Sequence, residues 1–248
     1  MAADQSIVPP LVLADESTAG PFVTGGLLRL PANQVDPAVA ALAKVKIDRG
    51  IGADAEIHCR VLFNGDARHR SPFSALSPDQ CVGLVTACVE AMNAVGGTWW
   101  GCWVCRDEYP TELQLLEGDL FRVETKHLTG LVVHGALVCV QHHVGPDYLL
   151  AFDPDRTKID WGLARKMQAT HFARTHPQAV DLPDAHKPLL EMADVAAYTV
   201  AQSLLADMNA NGRKAHRFPA VLKLMQMRSS HLEYKPWLSP HTRQLAAR

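Results

Sequence analysis

The chain has 248 residues, 48% of them hydrophobic, which is enough for one large domain with a substantial core. A formal net charge of −2 argues against bulk attraction to nucleic acid or membranes, but residues 213–248 carry +7 and the remainder −9. The first residues lack a signal-peptide pattern, and the longest apolar stretch is too short to cross a bilayer. These features predict a cytoplasmic protein without a membrane partner.

Two strands are predicted at the start of the chain. Residues 11–20 place four apolar residues before the adjacent acids Asp15 and Glu16, and residues 21–30 form a second strand with a Gly-Gly kink. A turn at residues 17–20 is expected to pair the two strands as a hairpin.

The middle of the chain alternates helices with strands. One helix is predicted to begin at Pro37 with Asp36 as its N-cap, and another at Pro78 with Ser77 as its cap and Gly96 after its end. Further strands are expected at 98–105 and 147–153, and further helices at 128–142, 161–174 and 187–208. This order predicts an α/β fold with a mixed sheet covered by helices.

Three acids occupy positions that favour a functional site. Asp15 and Asp153 follow apolar strands at the carboxyl end, where ligands bind in open α/β sheets. Asp194 falls within the apolar arc of the last helix, whereas Glu191 and Asp207 lie off that arc and are expected in solvent. A buried carboxylate is costly unless it is paired or bound to metal, so a loop cap or an ion pair is an equal alternative for Asp194.

A fourth acid lies in the segment AEIHCRVLF, where Glu56 and His58 would share a face if the chain is extended. Such a pair taken alone has little specificity and fits an ordinary surface position better than a functional one. As a set, however, converging carboxylates without a Cys or His cluster suit Mg²⁺ or Mn²⁺ rather than zinc. Sites of this kind bind the attacking and leaving oxygens of a phosphodiester in two-metal hydrolysis.

Four blocks of the sequence, in order and spacing, resemble domain-of-unknown-function family 3800. They read LADESTAGPFVTGGLL, AEIHCRVLF, YLLAFD and LLEMADVAAYTVAQSL, and they cover most of residues 9–207. The resemblance implies a ribonuclease H-like fold, a mixed sheet flanked by helices, with an acidic centre for two Mg²⁺ or Mn²⁺ ions and nuclease activity. By position it implies Asp15, Glu56, Asp153 and Asp194 as metal ligands and His58 as a further catalytic residue.

The same resemblance marks secondary candidates and divides the chain. Glu16 and Ser17 belong to the first block, and Asp155 rivals Asp153 as the third acid. The expected organisation is an N-terminal tail at 1–8, a ribonuclease H-like domain at 9–207 and a helical basic C-terminal extension at 208–248.

The basic extension and the acidic body leave other interpretations open. The extension predicts contacts with nucleic acid, DNA or RNA, through Arg213, Lys214, Arg217, Lys223 and Arg228. It would equally fit packing on the acidic body or on a second subunit of a homodimer. The segment FDPD also fits the Asp-x-Asp of a glycosyltransferase that binds a metal and a nucleotide diphosphate. A non-catalytic ribonuclease H-like scaffold that binds nucleic acid or a partner protein is the remaining alternative.

Overall fold

A five-stranded mixed sheet forms the centre of the protein. The computed structural model describes residues 9–114, 120–145, 147–152, 180–208 and 217–231. Side by side, the strands are β6 (Leu149–Phe152), β1 (Leu11–Ala19), β2 (Phe22–Leu30), β3 (Thr98–Cys105) and β7 (Arg228–His231). The first three strands of the chain are antiparallel, while β6 runs parallel to β1 and β7 parallel to β3. Two short strands, β4 (Glu112–Gln114) and β5 (Leu120–Arg122), pair separately.

The described residues form seven α-helices, which confirm the α/β class with helices flanking the sheet. They are α1 (Val35–Ile47), α2 (Cys59–Phe63), α3 (Gly65–His69), α4 (Pro78–Ala94), α5 (Thr125–Val144), α6 (Leu190–Asp207) and α7 (Phe218–Met225). Short 3-10 turns occupy Ala32–Gln34, Arg106–Glu108 and Asp184–Leu189. The helix predicted at 161–174 lies outside the described residues. None of the described helices combines the length and apolar character needed to span a membrane.

Both faces of the sheet are covered, which explains the continuous apolar run before Asp15. Alternation along β1 directs Leu11 and Leu13 into a core shared with α1, α4, α6 and α7. It directs Val12 and Ala14 into a second core beneath α5. A strand that is buried on both faces needs apolar residues at every position rather than at every second one.

The helix starts follow local capping rules, with one exception. Ser77 caps α4 in a capping box with Gln80, as the sequence predicts. The predicted N-cap of α1 is wrong, because a preceding 3-10 turn runs directly into the helix and places Gln34 at the cap position. Asp36 lies in the first turn instead, where its Oδ1 is 2.7 Å from Nε2 of His186.

The first hairpin is longer than the sequence predicts. β1 and β2 remain paired up to the two-residue turn Gly20–Pro21, where Gly20 has a φ of +57°, so the predicted turn at 17–20 is wrong. Asp15 therefore lies within β1 rather than at its end. Ala14, opposite Phe152, is the last β1 residue paired with β6, so Asp15 lies where the parallel pairing stops.

Part of the segment predicted as a basic extension belongs to the central sheet. α7 buries Phe218, Val221 and Met225 in the core that also holds α4 and α6. β7 then pairs with β3 as the last strand of the sheet. Residues 217–231 therefore share the core of the preceding domain.

Candidate functional site

Two adjacent glycines of β2 allow helices to touch the backbone of the sheet on both faces. A Cβ atom on Gly26 would lie 2.1 Å from the backbone nitrogen of Ala197 on α6, and one on Gly25 would lie 2.8 Å from the carbonyl carbon of Val132 on α5. Thr24 Oγ1 also donates a 2.8 Å hydrogen bond to the carbonyl oxygen of Ala197. These contacts fix the position of α6 along β2.

This close approach brings Asp194 to Asp15. Asp15 is directly opposite Gly26 in the β1–β2 register, and Asp194 lies about one helical turn before Ala197. Burial, followed by the charges of Asp194 and Glu16, raises the pKa of Asp15 to about 8. Two of the four predicted acids therefore face each other between β1 and α6, and their charges repel.

Asp194 holds the start of α2 with one of its two oxygens. Its Oδ2 accepts a 2.6 Å hydrogen bond from the backbone N–H of Cys59 and lies 3.1 Å from Nδ1 of His58. Only 11% of the Asp194 side chain is exposed, which confirms that it points inward. The loop-capping role foreseen as an alternative is therefore real. Its Oδ1 accepts no hydrogen bond from the part of the chain that the structure describes.

These residues open into a cleft of about 650 Å³ with a strongly acidic wall. One lysine, Lys187, lies on this wall, and its Nζ is 2.6 Å from Asp184 Oδ1. The acids on the described wall are Asp15, Asp54, Glu56, Asp181, Asp184, Glu191 and Asp194. So many carboxylates against one lysine and one histidine create a negative potential that attracts cations and repels phosphates.

Glu56 and His58 reach the cleft from a loop rather than from a strand. Residues 51–58 have no regular secondary structure, and α2 begins at Cys59, so the segment is extended only up to His58. Glu56 is exposed and His58 half-buried, and both line the cleft. On its other side the loop borders a second depression of about 440 Å³. Glu56 and His58 therefore face the same cleft, although the chain between them is a loop and not a strand.

The four predicted ligands are only partly brought together. Asp15 and Asp194 face each other, and Glu56 lies on the wall of the same cleft. Within the described ranges, no three His, Cys, Asp or Glu side chains form a group arranged to hold a metal ion. Asp153 and its rival Asp155 lie outside the described residues, so their places in the site stay predictions.

The remaining candidates of the first block do not line this cleft. The backbone N–H of Glu16 donates to Asp15 Oδ1 at 2.8 Å, but strand alternation directs the Glu16 side chain to the opposite face of the sheet, under α5. Ser17 accepts a 3.2 Å hydrogen bond from Thr24 Oγ1 through its carbonyl oxygen. Both residues therefore support β1 rather than the cleft wall.

The prediction that Glu191 is solvated is wrong. Its carboxylate is buried with Nζ of Lys46 at 2.8 Å, and Lys46 itself is completely buried. Burial raises the pKa of Glu191 to about 7, although the charge of Lys46 opposes this rise. The helix wheel failed here because α6 contacts α7 as well as the sheet, and its first turn meets Lys46 of α1. Asp207 at the end of α6 is exposed as predicted.

Three of the five predicted nucleic-acid-binding residues are described, and none of them lines the acidic cleft. Arg213 and Lys214 fall outside the described residues, and Arg217 forms an ion pair with Asp79 of α4. The remaining two, Lys223 on α7 and Arg228 on β7, are exposed. None of the three described basic residues belongs to the described wall of the cleft.

Comparisons with protein-family models, with curated proteins and with solved structures each find no match. The resemblance to family 3800 therefore rests on the four sequence blocks and stays a prediction.

Proposed function

We propose that this protein is a divalent-metal-dependent nuclease with a ribonuclease H-like fold. The mixed sheet flanked by helices agrees with the architecture that the family resemblance implies. The observation that carries the proposal is the pair of half-buried Asp15 and buried Asp194, whose carboxylates interact in a cleft with seven acids on its described wall. Such an arrangement is unfavourable without a cation and favourable with one.

The donor set suits Mg²⁺ or Mn²⁺. Asp15, Glu56 and Asp194 would bind the ions through carboxylate oxygens, which are the ligands that these hard cations prefer. Burial, followed by the charges of Asp194 and Glu16, raises the pKa of Asp15, and a bound cation would favour its ionised form. Metal binding should therefore release a proton at neutral pH. The fourth predicted metal ligand is Asp153, which lies outside the described residues.

The surrounding chain keeps these groups in place. β1 is buried on both faces and fixes Asp15, while the Cys59 N–H holds Asp194. Asp194 in turn orients the ring of His58 at the cleft wall, where an imidazole can accept a proton from water. When bound, two metal ions would polarise the phosphodiester and lower the pKa of a water molecule.

The charge of the cleft also predicts how substrate binds. The pKa of Asp15, about 8, keeps it mostly protonated at neutral pH, and Glu191 is paired with Lys46. The other five acids on the described wall still outnumber Lys187, so the bare cleft repels a nucleic-acid phosphate. Metal ions would reverse this local charge. Nucleic-acid binding, and not only cleavage, should therefore require Mg²⁺ or Mn²⁺.

One observation favours a second candidate, the non-catalytic scaffold. Asp194 Oδ2 already serves a structural role through Cys59 and His58. In a scaffold the acids would only support the fold, and the protein would bind a partner without cleaving it.

A cleavage assay separates the two candidates. Labelled single- and double-stranded DNA and RNA are incubated with the protein and Mg²⁺, Mn²⁺ or a chelator, beside three variants. We expect Asp15→Asn and Asp194→Asn to lose more than about 100-fold in cleavage rate, since even outer partners of metal sites contribute 10–100-fold. Asp207→Asn, an exposed acid on the same helix, is the control and should cleave like the parent. A parent that cleaves none of the four substrates with either metal would support the scaffold.

A further inference from the structure

A small cavity between four helices contains a buried arginine without a counter-charge. Its volume is about 10 Å³, roughly the space that one water molecule needs. The end of α2, α3, the first turns of α4 and the start of α7 form its wall through Phe63, Arg68, Pro78, Val82, Arg217 and Phe218. None of these six residues belongs to the described wall of the acidic cleft, so the cavity is separate from the proposed nuclease site.

Arg68 is the residue of this cavity that needs a partner, since only 7% of it is exposed. Its Nη1 donates a 3.0 Å hydrogen bond to the carbonyl oxygen of Leu62, but its buried Nε has no hydrogen-bond partner among the described residues. No carboxylate in the described part of the chain forms an ion pair with its guanidinium. Because arginine cannot lose its proton in a protein, a positive charge is buried here without compensation, which is unfavourable.

The groups near Arg68 do not neutralise its charge. Burial raises the pKa of the neighbouring Cys81 thiol, although the charge of Arg68 opposes this rise, so the thiol is neutral at pH 7. Pro78 begins α4, which places the positive end of that helix at the cavity wall. The second arginine of the wall, Arg217, is paired with Asp79, whose side chain is exposed and does not line the cavity. The cavity is therefore positive on several sides.

We propose that this cavity binds a monatomic anion such as chloride. The ion would accept a hydrogen bond from Arg68 Nε and would compensate the buried charge, with Arg217 as a second positive contact. Water could fill the same space but would leave the charge uncompensated. Because the wall joins α3 to the starts of α4 and α7, the bound ion would hold α7 against the core. This inference does not depend on the proposed nuclease function.

Thermal melts of the full-length protein measure anion binding. Sodium gluconate is replaced stepwise by sodium chloride at a constant ionic strength of about 0.15 M, so that general screening by salt stays the same. We expect the Tm of the parent to rise with chloride and then to level off. At chloride about ten times Kd the ratio of folded to unfolded protein should be about 11-fold higher, or roughly 3–6 °C in Tm. Inorganic phosphate, which is larger than the cavity, should not replace chloride.

Two variants distinguish anion binding from a merely structural role of Arg68. Arg68→Met removes the charge, so we expect it to lose the chloride response. In gluconate it should melt at or above the Tm of the parent, since it no longer buries an unpaired charge. A structural role predicts an equal loss of Tm in both salts instead. Arg70→Met, which replaces an exposed arginine at the C-cap of the same helix, is the control and should respond to chloride like the parent.

Crystals soaked in bromide locate the ion through its anomalous scattering, and a peak within hydrogen-bond distance of Arg68 Nε supports the proposal. A water molecule at this position in the soaked crystals would overturn it. Equal chloride responses of the parent and Arg68→Met, or stabilisation by phosphate as strong as by chloride, would do the same. If Arg68→Met does not fold, Arg217→Gln replaces it, because Arg217 is partly exposed. Loss of this contact should raise the chloride concentration at half of the Tm shift by about 5-fold, and an unchanged midpoint would reject the site.

Discussion

Replacing Gly26 by alanine should push α6 away from β2 next to Asp15 and Asp194. The added Cβ would lie 2.1 Å from the Ala197 nitrogen and 2.7 Å from two further backbone atoms of α6, whereas ordinary contacts begin at 3.4 Å. Backbone atoms cannot rotate away, so α6 has to move by roughly 1.3 Å. Overpacking costs about 1–3 kcal/mol, and the Thr24–Ala197 hydrogen bond adds about 1 kcal/mol. We expect a loss of about 2–4 kcal/mol, or roughly 10 °C in Tm.

Urea denaturation of the parent, Gly26→Ala and Gly83→Ala measures this effect. Gly83 lies within α4 with no atom within 4 Å of its added Cβ, so the same substitution there should stabilise by about 0.5–1 kcal/mol. The displaced helix would also carry Asp194 away from Asp15. A Gly26→Ala protein within about 0.5 kcal/mol of the parent would refute the close contact, because ordinary surface substitutions fall in that range.

Three further results are expected. Because burial and neighbouring acids raise the pKa of Asp15 from 3.8 to about 8, the folded protein binds this proton more tightly than the unfolded chain. Metal-free stability should therefore fall between pH 4 and 8, and Asp15→Asn should flatten that slope in urea titrations. Lys46→Met alone should cost about 3–5 kcal/mol in the same assay, since it leaves the Glu191 charge buried and unpaired. If the basic segment binds nucleic acid, the double replacement Lys223→Gln/Arg228→Gln should lower the salt slope of binding by about 2.

Local patterns explain why parts of the site could be predicted from the sequence. The apolar run before Asp15 indicates a strand buried on both faces, and Asp194 stands within an apolar helical arc. Both signals depend on neighbours close in sequence. The register that places Asp15 opposite Gly26 depends on a hairpin turn that was expected several residues too early.

The ion pair of Lys46 and Glu191 could not be predicted from the sequence of either helix alone. A helix wheel assumes one buried face, but α6 is covered by the sheet on one side and contacts α7 on another. A hint does exist on α1, where Lys46 follows Ala38 and Leu42 at four-residue intervals and so continues the buried stripe. A lysine on such a stripe needs a buried acid nearby.

The net charge of the C-terminal segment gave no indication that part of it belongs to the core. Its many basic residues predicted a separate extension with packing on the acidic body as an equal alternative, whereas Phe218, Val221 and Met225 follow a helical spacing of three and four and are buried in the core. A truncation near residue 212 would remove α7 and β7 and unfold part of the core. Replacing exposed side chains such as Lys223 tests the charge without this damage.

Metal-dependent stabilisation tests the central claim most directly, since it asks whether the carboxylates between β1 and α6 bind a divalent cation. Thermal melts of the parent, Asp194→Asn and the control Asp207→Asn are recorded over a series of Mn²⁺ concentrations. At 100 times Kd the metal should add about 2.7 kcal/mol, or roughly 5–10 °C in Tm, to the parent and the control. Asp194→Asn should fold and show little of this shift. No shift in the parent at millimolar Mn²⁺, or an equal shift in Asp194→Asn, would contradict a metal site at Asp15 and Asp194.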